Sequence, residues 1–230
     1  MTELPIPCTA DEVRAILARA KTRISRPIKP QPPNGATEVC VEGVYGESAV
    51  TYRAFPDGGS ARHAICACPF GVPGDKLWVQ ECWGLKTGTQ SDHSSRVFYR
   101  ADGADRIEYW QDDNQVPEKY GYGLSQSDKW RQSNHMPRWA SRIDLLVKRA
   151  WVEQVQKIPW LDILAEGVPG VRHPTGEPML DDFTGGCDAE TTFRDYWDNI
   201  YAKRGFGWDE NPWVAAAEFS LIENAKARKS

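Results

Sequence analysis

Residues 143–153 are the clearest candidate for a long β-strand in this chain, and this strand constrains the fold most. Ile143, Leu145 and Val147 lie two residues apart, so they share one face of the strand. The alternation changes near Ala150, which predicts a β-bulge. Helical patterns elsewhere lead us to expect an α+β fold.

Most of the remaining patterns are typical of short elements. Thr9 and Glu12 have the spacing of a helix capping box, with the helix ending near Ala20. Gly167 is expected to end a short helix that starts near Pro159. Further expected elements are strands at residues 37–44, 49–55, 77–83, 97–100 and 213–222, a turn at 56–59 and a helix at 190–203. We expect one domain over residues 1–230, with an insertion at about 84–128 and a long loop at about 168–189.

Composition narrows the classes of function. Hydrophobic residues make up 40% of the chain, which indicates a globular protein. The net charge of −4 argues against a protein that coats polyanions non-specifically, because such affinity needs many cationic contacts. No stretch approaches the roughly 20 apolar residues that span a bilayer, and the N-terminus has no signal pattern. We therefore expect a cytoplasmic protein without membrane association, whose six cysteines are reduced thiols.

A basic and aromatic segment, residues 129–142, leads into the long strand. Arginine pairs with phosphate through a planar fork, and tryptophan offers a flat face to a base. The candidate ligands of a nucleic acid or nucleoside in this segment are Trp130, Arg131, His135, Arg138, Trp139 and Arg142. The alternative is that the tryptophans belong to the core and that the arginines form ordinary ion pairs.

A second run of cations extends from Lys21 to Lys29, where prolines favour an extended segment over a helix. Besides Lys29, it contributes Arg26 as a binding candidate. A charged loop that is exposed to solvent has the same composition, so the run by itself is compatible with no function.

Glu81 follows Leu77 and Val79 on one face of an expected strand. An inward carboxylate is costly unless it is paired. We expect either a structural pair with Arg26 or a functional group, so Glu81 is the weaker of the catalytic candidates.

Metal binding is not favoured by the spacing of the cysteines. Cys66 and Cys68 are separated by one residue, with His63 nearby, and no second pair of ligands follows at the distance of a zinc finger. Buried free thiols are the expected state, and we expect no metal and no cofactor.

Four segments carry a family resemblance when they are taken in order. They are residues 13–32, with Lys21 and Arg26; residues 73–81, Pro-Gly-Asp-Lys-Leu-Trp-Val-Gln-Glu; residues 135–143, His-Met-Pro-Arg-Trp-Ala-Ser-Arg-Ile; and residues 193–214, with Phe-Arg-Asp-Tyr-Trp and Asn-Pro-Trp-Val. In this order they resemble the ASCH family of the PUA-like superfamily, most closely the ASCH proteins of phages and prophages. The resemblance implies a small, partly open β-barrel with flanking helices and a cleft for a nucleoside or a nucleic-acid strand.

The family motif Gly-x-Lys-x-x-x-x-Arg implies that Lys21 and Arg26 line the cleft, although Arg19 replaces the glycine. Members that look like N4-acetylcytidine amidohydrolases use a lysine, a threonine three residues later and a glutamate on the short helix. Lys21 and Glu166 fit these positions, whereas Ile24 stands where the threonine would be, with Ser25 next to it.

Three functions are compatible with these patterns. The first is binding of RNA or a modified nucleoside through the basic and aromatic segment. The second is a metal-independent hydrolase of N4-acylated cytidine-type nucleosides or of RNA, in which Lys21 and Glu166 are central; an inert ion pair is the alternative for these two residues. The third is a phage-encoded protein that binds a host protein through its tyrosine-rich insertion.

Overall fold

The structure is a computed structural model that describes residues 1–33, 36–44, 47–53, 62–87, 94–109, 130–169 and 185–222. The chain divides into two compact units. The first unit comprises Met1–Leu4, Ala15–Leu77 and Asp144–Ser230, and the second comprises Pro5–Arg14 and Trp78–Ile143. That the whole chain is a single domain stays a prediction.

The described elements are mostly strands, so the fold is mixed α+β. The strands are β1 (Glu3–Pro7), β2 (Arg23–Pro27), β3 (Thr37–Val44), β4 (Glu47–Arg53), β5 (Arg62–Ala67), β6 (Lys76–Gln80), β7 (Trp83–Thr87), β8 (Ser94–Tyr99), β9 (Asp105–Tyr109), β10 (Asp144–Gln154) and β11 (Trp213–Ile222). The helices are α1 (Ala10–Leu17), α2 (Trp160–Ala165) and α3 (Gly185–Tyr201), and 3-10 turns occupy Ser133–His135, Arg138–Ala140, Val155–Lys157 and Ala202–Arg204.

A five-stranded sheet with the strand order β1-β6-β10-β11-β2 forms the framework. β10 pairs with β11 along its whole length, and β11 pairs with β2; both pairs are antiparallel. Leu145 and Val147 are buried, and the register shifts between Val147 and Arg149, which confirms a bulge close to the predicted place. Within the described part of the chain this sheet is open, with β1 and β2 at its edges.

The core of the first unit includes α3 and the residues that pack against it. Phe193, Trp197 and Tyr201 are buried on one face of α3, as their helical spacing predicts. Trp208 packs edge-on against Phe193, with ring centroids 5.9 Å apart. The helix begins at Gly185, inside the segment that was expected to be a loop. A loop was expected there because the first two residues of the helix are glycines, which have low helix propensity.

The second unit contains the three-stranded sheet β7-β8-β9. Its core cluster comprises Trp83, Val97, Tyr99, Met136 and Ala140. β9 lies inside the segment that was expected to be an unpatterned insertion, and it pairs with β8. The insertion beyond residue 109, up to 128, lies outside the described residues, as does the turn expected at 56–59.

One local expectation needs correction. α1 ends at Leu17 instead of near Ala20, although the capping box is confirmed: the Glu12 amide donates to Thr9 Oγ1 at 3.2 Å and the Thr9 amide donates to Glu12 Oε2 at 2.9 Å. The basic and aromatic segment forms two 3-10 turns before β10 starts at Asp144. Pro137, which has an extended backbone, separates these turns.

Candidate functional site

A close contact between Gly167, just after α2, and Lys21, two residues before β2, sets the position of Lys21. Gly167 has a φ of +62°, and a Cβ at this position would lie 2.8 Å from the Cβ of Lys21. The Thr22 amide donates to the Ala165 carbonyl at 2.9 Å. Glycine alone satisfies both the left-handed backbone and the close approach. The residue that ends the helix therefore also brings Glu166 next to Lys21.

Lys21 and Glu166 form a buried ion pair. The Lys21 Nζ donates to Glu166 Oε2 at 2.8 Å and to the Glu166 carbonyl oxygen at 2.7 Å. Lys21 is 2% exposed and Glu166 is 5% exposed. Charges at such depth are tolerated when they are paired and hydrogen-bonded, as both are here. The two catalytic candidates from distant parts of the sequence are thus in direct contact.

Ser25 brings a hydroxyl group to the same carboxylate. Its Oγ donates to Glu166 Oε1 at 2.6 Å, and the residue is 3% exposed. Ser25 lies on β2 opposite Ala216 of β11, so the sheet determines its position. One oxygen of Glu166 therefore accepts from a hydroxyl, and the other accepts from an ammonium group.

Arg23 lies on the same face of β2 as Ser25 and is 1% exposed. Its guanidinium donates to Asp162 and Glu153, and its Nε lies 3.5 Å from Glu166 Oε1. Sequence reasoning did not single out Arg23. A usable signal was present, because alternation in an extended segment places residues 23 and 25 on one face.

Trp151 and Glu153 complete the surroundings of this arginine. The guanidinium carbon of Arg23 lies 4.9 Å from the ring centroid of Trp151, whose Nε1 donates to Glu153 Oε1 at 2.8 Å. Burial raises the pKa of Glu153, and the charge of Arg23 opposes this only in part. We call Lys21, Arg23, Ser25, Glu153 and Glu166, with Asp162, the β2–α2 cluster.

The β2–α2 cluster has the arrangement of an activated nucleophile. A hydroxyl lies within hydrogen-bond reach of a carboxylate base, and a third group orients that base. Here Ser25 supplies the hydroxyl, Glu166 is the base and Lys21 is the orienting group. Electrostatic interactions among them are stronger than at the surface, because burial excludes water.

A second charged cluster lies in the second unit, with half-buried Arg142 between buried Glu81 and exposed Asp102. The guanidinium makes two bonds to Glu81, at 2.8 and 2.9 Å, and two to Asp102, at 2.8 and 3.0 Å. Its central carbon lies 4.1 Å from the ring centroid of Tyr99. The partner of Glu81 is therefore Arg142, which corrects the expected pairing with Arg26.

Charge and burial act in opposite directions in this Arg142 cluster. Burial raises the pKa of Glu81, and the hydrogen bonds from Arg142 offset this only in part. Asp102 lies nearer the surface; burial would raise its pKa, but the bonds from Arg142 outweigh this and lower it. The two carboxylates raise the pKa of Arg142. Arg142 is thus charged and bound to two carboxylates.

The other basic and aromatic candidates are more accessible. Trp130 is 47% exposed, and its ring lies 3.8 Å from where a Gly84 Cβ would be. Arg131 lies over the Trp83 ring at 5.1 Å, and the two residues exchange backbone hydrogen bonds of 2.7 and 3.2 Å. This bridge holds the exposed indole of Trp130 against the start of β7.

The remaining residues of that segment follow in the two 3-10 turns. His135 is exposed, and Arg138 is half-buried with its guanidinium 5.9 Å from the Trp78 ring centroid. Trp139 is half-buried and packs edge-on against Trp83 at 5.9 Å, so it belongs partly to the core.

The cations of the proline-rich segment lie in the first unit. Arg26 is half-buried and donates to the Ser25 carbonyl at 3.1 Å. Lys29 is exposed, and its Nζ lies 4.9 Å from the Phe206 ring centroid. Neither side chain thus meets the Glu81 carboxylate, which is bound to Arg142.

Cysteines and carboxylates form no metal site in the described part of the chain, where no group of three His, Cys, Asp or Glu side chains is suitably placed. Cys66 and Cys68 are free thiols whose pKa is raised by burial.

None of the helices in the described segments has the length and apolar character that crossing a membrane requires. No family model, curated protein or solved structure matches this chain.

Proposed function

We propose that this protein is a hydrolase that removes the acyl group from an N-acylated nucleoside with its own side chains. The observation that carries the proposal is that Glu166 accepts from the Ser25 hydroxyl at 2.6 Å and from the Lys21 ammonium at 2.8 Å. A nucleophile, a base and an orienting group are thereby assembled in one buried cluster.

In the proposed reaction Ser25 Oγ attacks the acyl carbonyl carbon, and its proton passes to Glu166. The carbon–nitrogen bond then breaks, and the leaving nitrogen takes that proton. Water then attacks the acyl ester on Ser25 and gives up a proton to Glu166. The bond between the acyl carbon and Ser25 Oγ breaks, a carboxylic acid leaves, and Ser25 Oγ takes the proton back from Glu166. Lys21 keeps Glu166 oriented and supplies a positive charge near the negative charge that develops in each step.

The substrate class rests on the resemblance to the ASCH family, and with it we propose a PUA-like fold. The threonine position of the hydrolytic members is Ile24 here, which is fully buried, and the adjacent Ser25 supplies a hydroxyl group instead. Arg19 stands where the family motif has glycine, and its φ of +59° is one that glycine adopts most readily. A backbone that favours glycine at this position supports the resemblance.

The direct test measures turnover of N4-acetylcytidine by the wild-type protein and by Ser25→Ala and Lys21→Met. We expect the wild type to release acetate, Ser25→Ala to lose at least about 1000-fold in kcat, and Lys21→Met to lose about 100-fold. Ser220→Ala is a matched control, because Ser220 is a half-buried serine on β11. It should keep kcat within about twofold of the wild type.

Absence of wild-type turnover at any pH between about 5 and 9 would contradict the proposal, as would full activity of Ser25→Ala. Full activity of Lys21→Met alone would remove Lys21 from the mechanism and leave Ser25 with Glu166.

A second function, binding of a nucleic-acid strand or nucleoside, is supported by a separate observation. Trp130 offers a half-exposed indole beside Arg131, and exposed indole rings stack on bases at about 1–3 kcal/mol each. Trp130→Ala should weaken binding of a single-stranded oligonucleotide about tenfold, and binding of the wild type should weaken as salt increases. Binding that is insensitive to both the substitution and the salt would contradict this function.

A further inference from the structure

The buried guanidinium of Arg23 lies next to the proposed catalytic carboxylate of Glu166, and it takes no part in the proposed proton transfers. Arg23 is 1% exposed, and a charge at this depth is costly unless acceptors surround it. Its hydrogen-bond acceptors come from three elements: Ser25 on β2, Glu153 on β10 and Asp162 on α2. Its Nε makes no hydrogen bond and forms an ion pair of 3.5 Å with Glu166, next to α2. Such convergence on one side chain links the three elements through a single group.

The contacts with α2 restrict how Glu166 is oriented. Asp162 and Glu166 are four residues apart, so they lie one above the other on the same helical face. Arg23 donates from one terminal nitrogen to Asp162, while its Nε lies 3.5 Å from Glu166 Oε1. Because a guanidinium is planar and rigid, both contacts are kept together only in one orientation of the helix.

The contacts with β10 fix the guanidinium itself. Trp151 and Glu153 lie two residues apart, so both project from the same face of the strand. The indole lies 4.9 Å from the guanidinium carbon of Arg23 and donates to the same Glu153 oxygen that the arginine binds. The orientation of Arg23 is therefore set by β10 of the five-stranded sheet.

We propose that Arg23 is a positioning residue for the hydrolase. It transmits the geometry of the sheet to Glu166, so that one carboxylate oxygen faces the Ser25 hydroxyl while the other faces the Lys21 ammonium. This role rests on the proposed function. Lysine does not replace arginine in it, since one ammonium group lacks the planar fork that reaches β10 and α2 together.

The kinetic test uses N4-acetylcytidine with Arg23→Lys, Asp162→Asn and the control Arg194→Met, which removes an exposed arginine paired with Asp209. We expect kcat to fall about 100-fold in Arg23→Lys, because a small misplacement of a catalytic group has effects of this size. Asp162→Asn should lose about tenfold through loss of one contact. KM should stay within about twofold in both variants, and Arg194→Met should match the wild type.

A double-mutant cycle separates positioning from a general effect on the fold. In the Glu166→Gln background, Arg23→Lys should lower the residual kcat by less than about threefold, because both substitutions act through the same carboxylate. An equal loss in both backgrounds would overturn the proposal, and so would wild-type kcat in Arg23→Lys.

A labelling experiment tests the same geometry without turnover. Lys21 should react slowly with an amine-reactive ester in the wild-type protein, since its ammonium group is buried against Glu166. In Arg23→Lys and Asp162→Asn the labelling rate of Lys21 should rise at least about tenfold, as measured by mass spectrometry, while exposed Lys203 should be unchanged. An unchanged Lys21 rate in both variants overturns the positioning role, whereas a wild type without turnover overturns the proposed function.

Discussion

Each of the two units contains an arginine that is paired with carboxylates and lies over an aromatic ring; Arg23 is buried and Arg142 is half-buried. Arg23 lies 4.9 Å from the Trp151 ring and Arg142 lies 4.1 Å from the Tyr99 ring. Both arginines lie on a strand or next to one. Several acceptors surround each guanidinium, which offsets the cost of removing its charge from water. In residue types alone the two clusters are nearly equivalent.

The difference lies in what else reaches the carboxylates. Glu81 and Asp102 each receive two bonds from Arg142, so one guanidinium occupies both acids. Glu166 is held at a longer distance by Arg23, and its two oxygens accept from Ser25 and Lys21. In one unit the guanidinium therefore occupies both carboxylates, whereas in the other the carboxylate also accepts from a hydroxyl and an ammonium group, as the proposed hydrolase requires.

The largest expected effect contrasts equivalent substitutions in the two clusters. Glu166→Gln should lower kcat for N4-acetylcytidine about 1000-fold, because it removes the proposed general base. Glu81→Gln should change kcat less than about threefold, because the Glu81 carboxylate binds Arg142 in the second unit and is not part of the β2–α2 cluster. Steady-state kinetics of both variants checks this, and similar losses would abolish the distinction between the clusters.

Removing Arg142 should affect stability strongly. We expect Arg142→Met to lower the free energy of unfolding by about 3–5 kcal/mol, because it leaves Glu81 buried without its partner. The double variant Arg142→Met/Glu81→Gln should recover more than half of this loss. Urea unfolding measures both values, and a double variant as unstable as the single one would show that the unpaired charge is not the cause.

If the proposed hydrolase reaction takes place at Ser25, the burial of this residue should make it selective for small acyl groups. A benzoyl group in place of acetyl on N4 of cytidine should lower kcat/KM by about ten- to hundredfold, because overfilling a packed site costs about 1–3 kcal/mol. Parallel assays of the two nucleosides test this. Faster turnover of the benzoyl compound would place the reacting group nearer the surface than the cluster is.

The raised pKa of Glu81 should have a smaller effect, on how the free energy of unfolding depends on pH. A carboxyl whose pKa is higher in the folded than in the unfolded state binds its proton more tightly when folded, so its contribution to stability is greatest at low pH. The wild type should therefore lose stability relative to Glu81→Gln as the pH rises from about 4 to 7, the range that begins near the ordinary pKa of a glutamate. Urea unfolding at several pH values measures this difference, and the opposite slope would mean that Arg142 outweighs burial.

The smallest effect is expected at an exposed ion pair. Arg194 binds Asp209 at 2.9 and 3.1 Å on the surface of the first unit. Arg194→Ala should cost less than about 1 kcal/mol in urea unfolding, since water and salt screen exposed pairs. A cost as large as that of Arg142→Met would mean that burial does not distinguish the two kinds of ion pair.

Sequence periodicity predicted much of the local structure. The capping box at Thr9, the strand Trp213–Ile222, the bulge after Val147 and the helix end at Gly167 are confirmed. The start of α3 and the strand β9 were missed, because glycines and an irregular polar pattern hide elements that tertiary pairing stabilises.

The candidate site was predictable only in part. Lys21 and Glu166 were named through the family resemblance, and the structure brings them together. Arg23 was overlooked, because a run of cations in an extended segment does not show which of its side chains are buried. The expected partner of Glu81 was wrong for a related reason. A carboxylate on the inward face of a strand indicates that a cation pairs with it, but it does not show which cation.

What the sequence by itself determined is the set of elements and the faces of each strand and helix, because these depend on spacing within a short segment. Which charges meet was decided by the tertiary structure alone. Ion pairs such as Lys21 with Glu166 and Arg142 with Glu81 join segments that are far apart in the chain. Their formation depends on burial and close approach, which arise only when strands and helices pack.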